Sequence, residues 1–234
     1  MAMSSIQLPR IVGGHVGLDL VNTVAPRTPS GQQQEDYLAT PAQLLQWARR
    51  VRVLSDADAD AVAAAWAVTP GADEQALRVV REIREATYYV LAAALSGGAD
   101  RVDTLDALGQ LFLRWNAAVA RGALAPAGML RALVGLPTDE AEPENARGVA
   151  RIRYGDVPAW LVADRLAAAC VELLQTVEVR HLKACPLDQG GCGWLFLDRS
   201  RNGSRRWCTM DDCGAHAKAR RLTERRRSAT GKTS

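Results

Sequence analysis

The chain has 234 residues, 48% of them hydrophobic and 24% charged, with a net charge of +3. That composition is globular and excludes a disordered or fibrous chain. The longest apolar stretch, Trp160 to Leu174, is broken by Asp164, Arg165 and Glu172, so no transmembrane helix and no membrane partner are expected.

The N-terminal stretch MAMSSIQLPRIVGG lacks a basic region followed by an apolar core, so no signal peptide is expected. The expected location is cytoplasmic, where thiols stay reduced. Close behind come His15, Asp19, Asn22 and Thr23. Such a polar cluster either lines a pocket for a small-molecule effector or caps and bridges helices. The second reading is the simpler one for Asp19 and Asn22.

The first 180 or so residues read mainly as helices. Thr40-Pro41-Ala42-Gln43 is a capping box with proline at the first helical position. Ser55 and Asp58 open an alanine-rich helix that Thr69-Pro70-Gly71 breaks. A long helix follows from about 73 to 95, ended by Gly97-Gly98. The next spans about 102 to 121, and Leu105, Leu108, Leu111, Leu113 and Trp115 predict burial on one broad face. Pro137, Pro143 and the acidic residues Asp139, Glu140, Glu142 and Glu144 predict a loop. Val149, Ile152 and Tyr154 suit a short strand or hairpin. A last helix, about 158 to 177, carries the stripe Val162, Leu166, Cys170 and Leu174, which places Cys170 in the core. The expected domains are therefore a helical unit over 1–179, a small unit over 180–228, and a disordered tail over 229–234.

Cys185, Cys192, Cys208 and Cys213 fall in the small unit as C-x6-C and C-x4-C. About fifty residues rarely bury enough surface to fold without a staple. Paired cysteines in a reducing compartment favour a metal over disulfides. Four thiolates close a tetrahedral zinc site and leave no position for substrate, so one structural Zn2+ is expected. His216 and His181 are competing ligands, and an iron–sulfur cluster is the competing cofactor. Trp194 to Leu197 predicts a strand, Asn202-Gly203 a tight turn, and Ser204 to Cys208 a return strand. A helix over about 215 to 227 would pack on that hairpin through Ala215, Ala219 and Leu222. The fold class expected is a mainly α N-terminal domain with a small β element, then a treble-clef-like zinc finger of β-hairpin and helix.

Charge is uneven. Residues 199–227 hold ten basic side chains against three acidic ones, a local +7 that leaves −4 for the rest. Arg199, Arg201, Arg205 and Arg206 flank the turn, and Lys218, Arg220, Arg221 and Arg225 lie on the helix. Such a basic unit on an acidic body points to a polyanion, and arginine forks match phosphate and guanine edges. Trp194 and Trp207 either stack on unpaired bases or form the small core, and the core is preferred.

The run CGWLFLDRSRNGSRRWCTMDDCGAHAK, Cys192 to Lys218, resembles the CGNR zinc finger. Gly17-Leu18-Asp19-Leu20-Val21-Asn22-Thr23, followed by Leu38-Ala39-Thr40-Pro41, resembles the ABATE domain that accompanies it. That family is described as candidate stress-induced transcription regulators of bacteria. The resemblance implies zinc binding at the four cysteines and DNA binding through the finger. Two features depart from its pattern. The name tetrapeptide is here Cys213-Gly214-Ala215-His216, without its Asn and Arg, and the first cysteine pair is widened by Gly190-Gly191.

No G-x-S-x-G, phosphate loop or triad is present, so enzyme chemistry is not expected. The leading expectation is a zinc-containing regulator that binds duplex DNA. The alternatives are an RNA-binding protein using the same finger and a zinc-stapled protein-interaction module. A homodimer would suit paired half-sites.

Overall fold

Local signals decide where the helices begin and end. The computed structural model describes residues 8–27, 34–97, 101–135 and 149–230; the side chains of 101, 129, 131, 132 and 225–230 fall outside that description. Helix α1 (Val16–Val21) is capped by His15, whose ring nitrogen accepts the Gly17 N–H. Strands β1 (Val24–Ala25) and β2 (Glu35–Asp36) pair antiparallel. Helices α2 (Pro41–Arg50) and α3 (Asp56–Val68) both start at complete capping boxes, Thr40 with Gln43 and Ser55 with Asp58. Helix α4 (Ala72–Ser96) lies between Gly71 (φ 75°) and Gly97 (φ 62°), both in the left-handed conformation that glycine tolerates.

Helix α5 (Arg101–Ala120) follows, then β3 (Ala123–Pro126), α6 (Gly128–Leu133) and β4 (Ala150–Arg153). β3 and β4 pair antiparallel, so the strand expected near Ile152 is present. The acidic cluster from Asp139 to Glu144 lies outside the described residues. A 3-10 turn at Pro158–Trp160 leads into α7 (Leu161–Thr176), and β5 (Leu182–Ala184), β6 (Leu195–Leu197) and α8 (Ala215–Thr230) complete the order. α8 continues past the expected end at 227, so 229 and 230 are helical, and 231–234 lie outside the described residues. Among the described residues, no helix is long and apolar enough to cross a membrane.

The main core gathers Trp47, Leu77, Val80, Ile83, Leu166 and Cys170 from α2, α4 and α7. Cys170 has no exposed surface, and burial pushes its thiol pKa up to about 12. It is a packing residue. Helix α5 corrects an expectation: it packs through Ala107, Leu111 and Ala118, while Leu105 and Leu113 face water. Ala107 and Ala118 share the inward face with Leu111, which leaves Leu105 and Leu113 on the outward side.

Two smaller clusters set the finger. Cys185, Trp194, Phe196, Trp207, Cys208, Cys213 and Ala217 form its core, and Val12, Ala25 and Tyr37 of the body pack onto it. Leu18, Val21, Leu91 and Leu173 of the body meet Leu182 and Leu195 of β5 and β6 in a second cluster. The body and the finger therefore share apolar surface.

Candidate metal centre and nucleic-acid interface

The cage is built on a two-stranded ladder. β5 and β6 pair antiparallel, Leu182 opposite Leu197 and Ala184 opposite Leu195. Backbone bonds continue past the strand ends, from the Cys185 N–H to the Trp194 carbonyl (2.8 Å) and from the Gly193 N–H to the Cys185 carbonyl (3.1 Å). The hairpin expected here is thus present, but with a different partner. Residues 204–208 form no strand; β6 pairs with the segment upstream of the cage. The physical reason lies in Asp198 and Lys183. Asp198 accepts the N–H groups of Ser200 and Arg205, each at 2.9 Å, and Lys183 donates to the carbonyls of Gly203 and Arg205. Side chains thereby occupy backbone groups that a return strand would need. Asn202-Gly203 still makes the turn, with Gly203 at φ 56°.

The wide first spacing also has a structural basis. Leu187–Gln189 make a 3-10 turn, Gly190 adopts φ 86°, and the Gly191 N–H returns to the Pro186 carbonyl at 2.8 Å. A Cβ on Gly191 would lie 2.6 Å from the Cys185 sulfur, so only glycine fits. On the other side, a π-helical turn at Met210–Gly214 carries Cys213 to the start of α8.

The four sulfurs lie within 4.8 Å of one another. Cys192 and Cys208 are 3.4 Å apart, and Cys208 and Cys213 3.6 Å. A zinc–sulfur bond of about 2.3 Å puts tetrahedral sulfurs roughly 3.8 Å apart, so the set fits one zinc ion. Cys185, Cys208 and Cys213 are buried and Cys192 is half-buried. Hydrogen bonds from Cys192, Cys208 and Cys213 hold the Cys185 thiol below its ordinary pKa. His216 is an exposed neighbour of Asp212 at 3.5 Å, and His181 lies beside Glu178 at 3.8 Å; neither joins the cage. Zinc held by these four thiolates would supply a rigid cross-link with no coordination position left open.

The basic side chains divide into two groups. Arg199, Arg201, Arg206, Lys218, Arg220 and Arg221 are exposed. Arg205 is not available in the same way. Its guanidinium lies 4.3 Å from the Phe196 ring centroid and donates to the carbonyls of Trp207 (3.1 Å), Val12 (3.2 Å) and Cys208 (2.5 Å). It ties the finger to the N-terminal segment. The side chain of Arg225 lies outside the described residues. The expected packing stripe of α8 is also corrected: Ala217 is buried, while Ala215, Ala219 and Leu222 are exposed. Among the described side chains of α8, Ala217, one turn beyond Cys213, is the one that joins the small core.

Three further residues organise this surface, and the sequence reading did not single them out. Gln189 accepts from Arg221 at 3.1 Å and also from Arg206, so its side chain gathers bases from the turn segment and from α8. Lys183 and Asp198 pair at 2.6 Å. Lys183, then Ser200, hold the Asp198 carboxyl well below the usual carboxylate range. The D-x-S pattern of Asp198 and Ser200 is a local signal for this loop beside Asn202-Gly203.

The N-terminal polar cluster is engaged with the protein itself. Asp19 accepts the N–H groups of Val12 (2.9 Å) and Gly13 (2.8 Å); burial raises its pKa against those amides. Asn22 donates to the Leu195 carbonyl (2.8 Å) and accepts the Leu195 N–H (2.9 Å). Thr23 donates to the Leu20 carbonyl at 2.7 Å and accepts from Arg84 at 3.1 Å. His15 contacts Glu172 at 3.0 Å. His15 and Asp19 also edge an open depression of about 630 Å³, with Arg50, Arg52 and Arg205 around it.

Residues 181–226 match the CGNR zinc finger family. Residues 14–177 match ABATE, a family described as "Putative stress-induced transcription regulator". No curated protein matches the chain. The second of these matches spans more than half of the sequence, and the chain belongs to the ABATE family, with a CGNR zinc finger behind its helical body.

Proposed function

We propose that this protein is a transcription regulator whose zinc finger binds duplex DNA. One observation carries the reading: Arg206 and Arg221, from two separate segments, meet at the Gln189 side chain. A metal-fixed unit thus presents basic groups from a turn and a helix on one surface, which suits phosphate oxygens along a duplex. The burial of Trp194 and Trp207 favours duplex DNA over single-stranded RNA. Indoles packed in a core offer no face on which unpaired bases could stack. On this reading the protein acts by binding and not as an enzyme.

Salt titration of binding to random duplex DNA tests the proposal. With five or six basic groups engaged, log K falls against log salt with a slope of about −4.5 to −5.4. Arg201→Ala combined with Arg221→Ala lowers affinity and flattens that slope. Binding unchanged by the double variant would leave the protein-interaction reading in its place, and preference for single-stranded RNA in competition would favour the RNA reading.

A further inference from the structure

The open depression beside His15 gathers positive charge from both the body and the finger. Arg50 ends α2, Arg52 follows two residues later, and Arg205 reaches the same hollow from the finger. Among the described residues, Asp19 is the one acidic side chain in the lining, and the Val12 and Gly13 amides hold its carboxylate. Three guanidinium charges against one carboxylate leave a local excess of two. His15 brings no free nitrogen: Nδ1 accepts from Gly17, and Nε2 faces Glu172, which lies outside this lining. Arg205 brings charge alone, because its donors are committed to backbone carbonyls.

Arg50 and Arg52 are different. Their neighbour Arg49 pairs with Asp56 and Asp60. The side chains of Arg50 and Arg52 are exposed and have no hydrogen bond or ion pair among the described residues. A cation in the last turn of a helix is ordinary, since it faces the helix carbonyls. That accounts for Arg50 but not for Arg52, which lies beyond the capping residue Val51. Arg52 sits at φ 59° and is the one non-glycine residue with positive φ among the described residues. Bonds from the Val53 and Leu54 N–H groups to the Ala48 carbonyl, at 2.9 and 3.2 Å, hold the chain in that turn. Glycine suits such a position after a helix, and a long side chain there works against the backbone. A strained, exposed and unpaired arginine on a charged hollow points to a ligand. Two free guanidinium forks and an excess of two charges match phosphate oxygens. The volume of about 630 Å³ lies within the range of small-molecule sites, and the open mouth also admits one stretch of a longer backbone.

We propose that this depression is a phosphate-binding site, in which Arg50 and Arg52 donate to phosphate oxygens and Arg205 adds charge. The phosphate belongs either to a free phosphorylated molecule or to a duplex backbone; the recognition chemistry is the same. Titration calorimetry of the full zinc-loaded chain with pyrophosphate, beside salt titration with random duplex DNA, tests the site and identifies the source. Arg50→Ala/Arg52→Gly should weaken one of the two by roughly 10–100-fold. A loss confined to pyrophosphate identifies a free phosphorylated ligand. A loss with duplex DNA, with the salt slope flattened by about two, identifies the backbone. Arg52→Gly alone relieves the strained φ, so its melting temperature should equal or exceed that of wild type while binding falls. A lower melting temperature would make Arg52 a structural residue and overturn the assignment, and so would unchanged binding of both probes by the double variant. A chain that ignores duplex DNA altogether overturns the reading of the finger and leaves the pyrophosphate arm to decide this one.

Discussion

Asn22, in the body, makes both hydrogen bonds of a strand partner with Leu195, the first residue of β6. One side-chain amide donates to the Leu195 carbonyl and accepts its N–H, so it extends the β5–β6 ladder. Asn22 has no exposed surface and Leu195 almost none. Replacing Asn22 with alanine therefore strands a buried donor and a buried acceptor. The expected cost is about 2–4 kcal/mol, read as a lower urea midpoint with zinc bound. Asn22→Asp should not rescue it, because a carboxylate would face the Leu195 carbonyl. A midpoint for Asn22→Ala within error of wild type would show that the two bonds are dispensable.

Gly191 and Gly203 should respond differently to alanine. A Cβ at Gly191 meets the Cys185 sulfur at 2.6 Å and the Pro186 carbonyl oxygen at 2.7 Å. Gly191→Ala must displace a zinc ligand, with a loss of metal affinity on the order of 10–100-fold in competition with a chelator. Gly203 has nothing within 4 Å of its Cβ position, and only its φ of 56° opposes a side chain. Gly203→Ala should cost about 1 kcal/mol of stability and leave zinc affinity alone.

Arg205 and Arg201 should separate folding from binding. Arg205 donates to backbone carbonyls on both sides of the finger–body junction and stacks on Phe196. Arg205→Ala should lower stability by about 2–3 kcal/mol. Arg201 is exposed on the turn, so Arg201→Ala should stay within about 0.5 kcal/mol of wild type. If the finger binds DNA as proposed, Arg201→Ala instead reduces the salt slope by roughly one. Paired thermal melts and binding isotherms on the two variants distinguish these outcomes.

Asp198 gives the finger a pH dependence of known sign. Its folded pKa is depressed, first by Lys183 and then by Ser200. The stabilisation it provides is complete above its unfolded value of about 3.9 and is lost as pH falls through the folded value. Asp198→Asn removes that contribution. The urea midpoints of wild type and variant should therefore differ most near neutral pH and converge in strong acid. Comparing the two at each pH cancels the effect of protonating the cysteines, which both proteins share. A gap that widens with acid would contradict this assignment.

The legibility of the sequence varied with the range of the interaction. The capping boxes at Thr40 and Ser55 involve residues three apart, and the sequence alone locates both helix starts. The cage was readable because the four cysteines have chemistry that few other roles use. The partner of β6 was misread because Asn202-Gly203 advertises a hairpin on the wrong side. The true partner, Leu182–Ala184, is only three residues long and carries no alternation to betray it. Asn22 is the C-cap residue of α1, as a cap or bridge would be, but the partner of its side chain lies 173 residues away, and no local pattern encodes that pairing. Leu111 of α5 is buried as its spacing predicts, but Leu105, Leu108 and Leu113, like Ala215 and Ala219 of α8, face water: periodicity shows that a helix has an apolar face without saying which part of it finds a neighbour.

The Trp194 indole N–H ends on the Val24 carbonyl at 2.8 Å, and Val12, Ala25 and Tyr37 close over the same core. The finger therefore has no swivel. A finger on a flexible tether samples many headings and must give up that freedom each time it docks. This one surrenders it once, during folding, and meets any partner with its angle already set by the helices behind it.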